Sequence, residues 1–369
     1  MKLNKMILMF LLYCMNLFRF LMPMRKNRIT FISLSMDHLE GDFYQIDKKL
    51  KEAGDFDIRY NLMIYKKSLL GDFLYLLNCL RQLYEINTSR LVFINDNNYV
   101  ITKLKRDSTK VVQIWHACGA VKKFGNQIPR SYKIANYDYV VCASDIWKSS
   151  YAEAFGVNEE QVIVTGLPRT DALCDPKKVQ SYRDKFFKKY PHLKGKYLIL
   201  YAPTFRGNTI KGLNYVELDM NRVIDQLDDQ SYFLYKMHPL LADVGFGEHE
   251  RLVNVNKENL YMLMCACDCL ISDYSSIIFD YSLLKKKMLI FASDYEDYRK
   301  TIGFNVDYMK EMPCPICKKT EELIECLKNK EETYIKETDL FQKKYMPYED
   351  GKNVDRIIDL VMPFISEQS

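Results

Sequence analysis

The stretch from residue 269 to 299, CLISDYSSIIFDYSLLKKKMLIFASDYEDYR, constrains the fold more than any other part of the chain. The apolar run Cys269, Leu270, Ile271 predicts a short buried strand. It ends in Ser272-Asp273-Tyr274-Ser275-Ser276, a cluster of helix-capping residues. Beyond it Ile277, Ile278, Tyr281 and Leu284 share one helical face, and Lys285, Lys286 and Lys287 stand where cations suit a helix C-terminus. Residues 288–291 (MLIF) predict the next strand. A strand–turn–helix–strand unit follows, with two hydroxyls and free backbone N–H groups at the helix start. Such a start receives a phosphate readily. Taken alone, Asp-x-Ser-Ser is more simply an ordinary N-cap, and the rest of the chain reverses that preference.

At 369 residues the chain is too long for one compact core and fits two domains. Its 48% hydrophobic and 27% charged residues are those of an ordinary globular protein. A net charge of +5 without arginine-rich or RNA-binding signatures argues against a nucleic-acid partner, and is compatible with polyanionic substrates or an anionic membrane. Among the 11 cysteines, Cys314-Pro-Ile-Cys317 is a single C-x-x-C with neither a second knuckle nor a histidine at finger spacing. Cys265, Cys267 and Cys269 alternate along an apolar segment. The set reads as reduced, intracellular core cysteine, with no metal ligands.

Residues 6–24 (MILMFLLYCMNLFRFLMPM) are strongly apolar but interrupted by Asn16 and Arg19 and flanked by basic residues. This predicts an interfacial anchor helix over residues 1–27, ahead of one marginal transmembrane helix or a plain packing helix. Strands are then predicted at 28–34, 56–63, 91–95, 110–115, 137–143 and 161–165, with helices at 42–54 and 69–86 between them. The composition turns charged and helical around 175–191, so a domain 28–180 is expected to precede a domain 181–369. The second series opens with strands at 197–201, 231–235 and 252–254. Strands alternating with helices predict α/β domains with doubly wound parallel sheets, whose strand C-termini face a common cleft.

Chemistry-bearing residues recur just after strands. His116 ends KVVQIWH, where a neutral imidazole can take a proton from an acceptor hydroxyl; a hydrogen-bonded structural histidine is the plainer alternative. Ala117, Cys118, Gly119 and Ala120 are small enough for backbone N–H groups to approach a ligand. Arg169, in GLPRTD (166–171), offers a planar fork to a phosphate, or is a solvated charge on a turn. Pro203 and Thr204 lie in YAPTFRG (201–207), and Lys236, Met237 and His238 in KMHP (236–239). Together these groups suit a pyrophosphate.

The ordered set WHACGAVKKFG (115–125), GLPRTD, YAPTFRG, KMHP and ISDYSSIIFDYSLLKKKMLIF (271–291) resembles the CDP-glycerol glycerophosphotransferase family of teichoic acid synthesis, across roughly residues 90–320. The resemblance implies a GT-B-like architecture and a metal-independent transfer without cofactor. It also implies a general base at His116 and a donor-side loop at Ala117, Cys118, Gly119 and Ala120. Arg169, Pro203, Thr204, Lys236, Met237 and His238 match donor-binding positions, with His238 catalytic at the pyrophosphate. Ser275, Ser276 and Asp280 match the nucleotide side. WHACGAVK stands where many members have WHGTPLK, a form similar to the shorter, primase-like members, and Lys236 stands where the family often has arginine. No additional enzyme domain or tandem module is expected in so short a chain.

The implied reaction moves glycerol phosphate, or a related polyol phosphate, from CDP-glycerol or CDP-ribitol to a hydroxyl of a lipid-linked saccharide, releasing CMP. The implied location is the cytoplasmic face of the cell membrane, held peripherally. Two other readings stand beside it: a GT-B glycosyltransferase using a nucleotide sugar, and a non-catalytic envelope-assembly scaffold.

Overall fold

The computed structural model describes residues 2–208, 212–216, 218–237, 241, 245–331 and 333–365. Two compact units emerge. The first comprises residues 1–118, 124–171 and 352–369, the second residues 119–123 and 172–351.

The first unit opens with α1 (Lys2–Leu17), followed by β1 (Arg25–Ser33), α2 (Gly41–Ala53), β2 (Asp57–Leu62), α3 (Leu69–Thr88), β3 (Ser89–Ile94), α4 (Tyr99–Leu104), β4 (Lys110–Ile114), β5 (Tyr139–Cys142), α5 (Lys148–Phe155) and β6 (Val162–Val164). Its six strands form one parallel sheet in the order β2-β1-β3-β4-β5-β6. Central strands read as nearly unbroken apolar runs because helices cover both faces. Phe31 on β1 packs 5.0 Å from Phe93 and 5.1 Å from Phe43, ring centre to ring centre. Buried Arg28 is neutralised by Asp57 at 2.8 Å and also donates to Thr88.

The second unit runs through α6 (Pro176–Lys189), β7 (Tyr197–Tyr201), β8 (Arg206–Asn208), β9 (Gly212–Asn214), α7 (Met220–Asp225), β10 (Ser231–Tyr235), β11 (Leu252–Asn254), α8 (Leu260–Ala266), β12 (Cys269–Ser272), α9 (Ile277–Ser282), β13 (Lys287–Phe291), α10 (Tyr295–Thr301), α11 (Tyr308–Glu311), β14 (Ile316–Cys317), α12 (Thr320–Lys328) and α13 (Ile335–Tyr345). Six of its strands form a parallel sheet in the order β11-β10-β7-β12-β13-β14. The chain then returns to the first unit as α14 (Asn353–Ile365).

The division differs from the expected break at 180. The first series ends at Asp171, because α6 packs on α8, where Arg183 Nη1 donates to the Cys265 carbonyl at 2.9 Å. Nor do residues 181–369 form one body. The Asp171 carboxylate accepts from the Asn353 and Val354 N–H groups at 2.9 and 3.0 Å, capping α14, which packs on α2 and β3. Both contacts were hidden by more than 180 residues of intervening sequence. The antiparallel pair β8–β9 and the edge strand β14 carry too few residues for a periodic signal and were not predicted.

The helix after Ser276 is shorter than predicted. It ends at Ser282, and Lys285 turns through φ +50°. The three lysines leave their own helix and secure other elements. Lys286 Nζ donates to the carbonyls of Cys265 and Cys267, both at 2.7 Å, at the end of α8. Buried Lys287 donates to those of Cys326 and Asn329 at 2.7 and 2.5 Å, at the end of α12. Lys285 pairs with Asp339 and Glu349 at 3.1 and 3.3 Å. Cations satisfying last-turn carbonyls is the expected chemistry, applied to neighbouring helices.

Among the described residues no helix is long and apolar enough to cross a membrane. The predicted apolar segment forms α1 and a 3-10 turn at Arg19–Leu21, and β1 starts at Arg25, ahead of the expected 28. Met6, Phe10, Leu17, Phe18, Phe20 and Leu21 are exposed there, as are Leu69, Leu70 and Phe73 at the start of α3, against which α1 packs.

Candidate active site

Each sheet reverses its winding once: between β1 and β3 in the first unit, and between β7 and β12 in the second. At such a switch point the connecting loops diverge, leaving room for a ligand at the strand C-termini. Chemistry-bearing residues gather beside both.

In the first unit the segment after β4 carries Trp115 and His116. The imidazole is exposed to solvent, with Nδ1 3.5 Å from the Asn95 carbonyl, which follows β3. Surrounding protein disfavours the charged imidazolium and lowers the pKa below the ordinary value. The Asp96 carboxylate, the Asn95 carbonyl and Asp42 pull upward, while Arg169 adds to the lowering. Asp96 itself joins the loops at the switch point, accepting from the Leu34 N–H at 2.9 Å and from the Ser33 and Ser35 hydroxyls at 3.2 and 3.1 Å.

The loop behind His116 is fixed from below. Tyr151 Oη donates to the Ala117 carbonyl at 2.8 Å, and Arg169 Nη2 to the buried Cys118 Sγ at 3.4 Å. Arg169 also forms an ion pair with Asp42 in the first turn of α2, whose carboxylate accepts the Arg169 N–H at 2.7 Å. Its guanidinium therefore braces the histidine loop in this structure.

In the second unit the loops after β7 and β12 are stitched together. Ser272 Oγ donates to the Ala202 carbonyl at 2.7 Å, and the Ala202 N–H to the Ile271 carbonyl at 2.9 Å. Asp273, almost fully buried, accepts from both the N–H and the hydroxyl of Thr204, at 2.8 and 3.0 Å. It pairs with Arg206 Nη2 at 2.9 Å, while Arg206 Nε holds Asp294 at 2.7 Å. Tyr274 Oη completes the group by donating to Asp294 at 3.0 Å. Burial raises the Asp273 pKa against the opposing pull of Arg206, Lys122 and Thr204. Burial also works against the Arg206 charge, but the two carboxylates outweigh it and raise its pKa. Both donors of Thr204 are thus committed to Asp273, beside the buried Pro203.

The other expected residues lie around this core. Lys236 Nζ donates to the carbonyls of Asn256 and Glu258 at 2.9 and 2.7 Å, and burial lowers its pKa against the pull of Glu258. Met237 is a core side chain, its N–H held by Asn256 Oδ1 at 2.7 Å. Ser276 precedes α9 without a capping bond, and Ser275 Oγ is 3.4 Å from the Ile277 N–H. Asp280 is buried and accepts from Tyr261 Oη at 3.2 Å. Gly119 and Ala120 belong to this unit: a Cβ on Gly119 would meet the Phe279 ring at 2.6 Å, and Asn305 Nδ2 donates to the Ala120 carbonyl at 2.9 Å. His238 lies outside the described residues.

Sequence reasoning missed Asp42, Asp96, Arg206, Asp273 and Asp294 as organising residues. Arg206 and Asp273 sit inside the quoted motifs YAPTFRG and ISDYSS, so their charge there was the available signal.

Two parallel, doubly wound α/β units with polar residues massed at their switch points define a protein of GT-B-like architecture. In keeping with this, a variant of the wall teichoic acid polymerase TagF matches with a TM-score of 0.75 at 23% identity, over 94% of this chain and 90% of that one. A family model described as CDP-glycerol:poly(glycerophosphate) glycerophosphotransferase matches residues 12–363. The chain belongs to this family. It is 33% identical over 365 residues to the teichoic acid ribitol-phosphate primase of Bacillus spizizenii, covering 94% of this chain and 93% of the primase. It is 34% identical over 359 residues to that organism's teichoic acid poly(ribitol-phosphate) polymerase, which matches 93% of this chain. The match spans only 57% of the polymerase's own length.

Proposed function

We propose that this protein transfers glycerol phosphate, or the related ribitol phosphate, from its CDP-activated form to a hydroxyl of a lipid-linked saccharide. The acceptor oxygen attacks the β-phosphorus, its bond to phosphorus forming as the bridging oxygen departs with CMP. The hydroxyl proton passes to the free nitrogen of His116, the other facing the Asn95 carbonyl. The carrying observation is His116 itself: solvent-accessible, at a strand end beside a switch point, and kept neutral by its surroundings.

Support for priming comes from the likeness to the ribitol-phosphate primase, which runs over 93% of that protein. CDP-glycerol and CDP-ribitol share all of their nucleotide chemistry and differ only in the polyol tail. The purified protein, given either donor and a lipid-linked disaccharide analogue with EDTA present, is expected to release CMP with one of them. Release of a nucleoside diphosphate from a nucleotide sugar would move the reading to sugar transfer. Failure of both CMP release and donor-dependent stabilisation would leave a scaffold.

A lipid-linked acceptor calls for a membrane surface, and we place the protein peripherally on the cytoplasmic face. The apolar residues exposed on α1 and α3 and the nearby Arg19, Arg25 and Lys26 support this. Sedimentation with vesicles containing anionic lipid should carry the protein down, and Phe10→Ser with Leu17→Ser should release most of it. Equal pelleting of wild type and variant would remove these residues from the contact.

A further inference from the structure

The short segment that follows the histidine loop is anchored with unusual care. Lys123 N–H donates to the Gly303 carbonyl at 3.2 Å and Asn305 N–H to the Val121 carbonyl at 2.9 Å. Asn305 Nδ2 reaches the carbonyls of Ala120 and Lys122 at 2.9 and 3.2 Å. Lys122 and Phe304 form an antiparallel bridge between these bonds. Four successive main-chain positions, Ala120 to Lys123, are thereby tied down around one lysine.

That lysine has nothing to hold. Among the described residues the Lys122 ammonium has no hydrogen-bond or ion-pair partner, and lies 5.6 Å from the centre of the Tyr298 ring. The guanidinium of Arg206 is 4.8 Å from the same ring, and is occupied by Asp273 and Asp294. Arg206 and the two carboxylates therefore satisfy one another, whereas Lys122 offers, among the described residues, an uncommitted ammonium beside the loops after β7 and β12. A half-buried ammonium costs desolvation unless an anion compensates it.

We propose that Lys122 binds a phosphate oxygen of the CDP-linked donor, as a charge-bearing residue distinct from the serines and histidines of the motifs. This rests on the reading of the protein as a CDP-polyol transferase. Burial lowers the Lys122 pKa to about 8, against the pull of Asp273 and with the push of Arg206. Asp273 and Arg206 act on its charge and Tyr298 lies beside it, while Asp294, Tyr274 and Tyr308 adjoin Arg206 and Asp273; burial raises all three phenols. Lys122 is thus the group poised to change charge just above neutrality. A bound phosphate favours the ammonium, so binding takes up a proton when the free protein has lost it. Donor affinity is highest below pH 8 and weakens as pH rises through that value.

The test is donor binding, read as the thermal shift with CDP-glycerol and CDP-ribitol between pH 7 and 9.5. Wild type should lose affinity up to about tenfold per pH unit above 8. Lys122→Gln should bind about tenfold or more weakly at pH 7 and show no such slope. Lys122→Arg should keep most of the affinity while also losing the slope. A Lys122→Gln protein with wild-type melting temperature, affinity and pH dependence would overturn the proposal. A wild type that binds neither donor at any pH would instead overturn the donor reading on which it rests.

Discussion

Replacing His116 with alanine should lower CMP release by about 10²- to 10⁴-fold while leaving donor-dependent thermal stabilisation intact. The effect is large because, among the described residues, the groups nearest the imidazole are already engaged. Arg169 is paired with Asp42, and the Asp96 carboxylate is engaged by Ser33, Ser35 and the Leu34 N–H. It is separable from binding because the side chain reaches into solvent and fills no core position. The pH profile carries a further signature. A base works deprotonated, and surrounding protein holds the His116 pKa below its ordinary 6.5. Activity should therefore persist below pH 6.5 and fall as pH drops through the lowered value. Asp96→Asn, which removes a charge holding that pKa up, should shift this acid limb further down. Turnover by His116→Ala at more than a tenth of the wild-type rate would remove the histidine from the base role.

Asp273→Ala should be the most damaging substitution in the second unit, lowering unfolding free energy by about 3–5 kcal/mol. It removes the counter-charge of Arg206 at 2.9 Å and the acceptor of both Thr204 donors, in surroundings that admit almost no water. A buried donor left without a partner costs its full desolvation. Asp273→Asn should be milder, since an amide oxygen still accepts from Thr204, but the ion pair is gone. Urea denaturation of both variants would measure this. A loss below about 1 kcal/mol in Asp273→Ala would mean that Arg206 is satisfied by Asp294 alone.

Much of the sheet was legible in the sequence because buried parallel strands are short, continuous apolar runs bounded by turn residues. YLILY, SYFLY and LVN became β7, β10 and β11 at the predicted bounds. Partnerships were the illegible part. Thr204 reads as a free hydroxyl at a strand end, and only the fold brings Asp273, 69 residues away, to both of its donors. Arg169 likewise reads as an unpaired fork because Asp42 is 127 residues distant. The lysine run 285–287 looked like the end of its own helix, since local periodicity cannot show which neighbouring carbonyls lie within reach. Histidines and serines were easy to single out from motif positions. Charges that tie together the loops beside them, such as Asp96 and Asp273, leave no periodic trace.

The capping of α14 by Asp171 also bears on how the protein is made. Chain synthesis runs from one end, and domains generally fold as units when their residues emerge. Here the first unit has its six strands by Val164, yet Asp171 waits for Asn353 and Val354, and α2 for the helix that covers it. Apart from residues 119–123, the second unit is translated without interruption in that interval. Its sheet can therefore mature on the ribosome while the older one is still missing a side. Until α14 arrives, the exposed flank of the earlier sheet is where a chaperone would find this nascent chain.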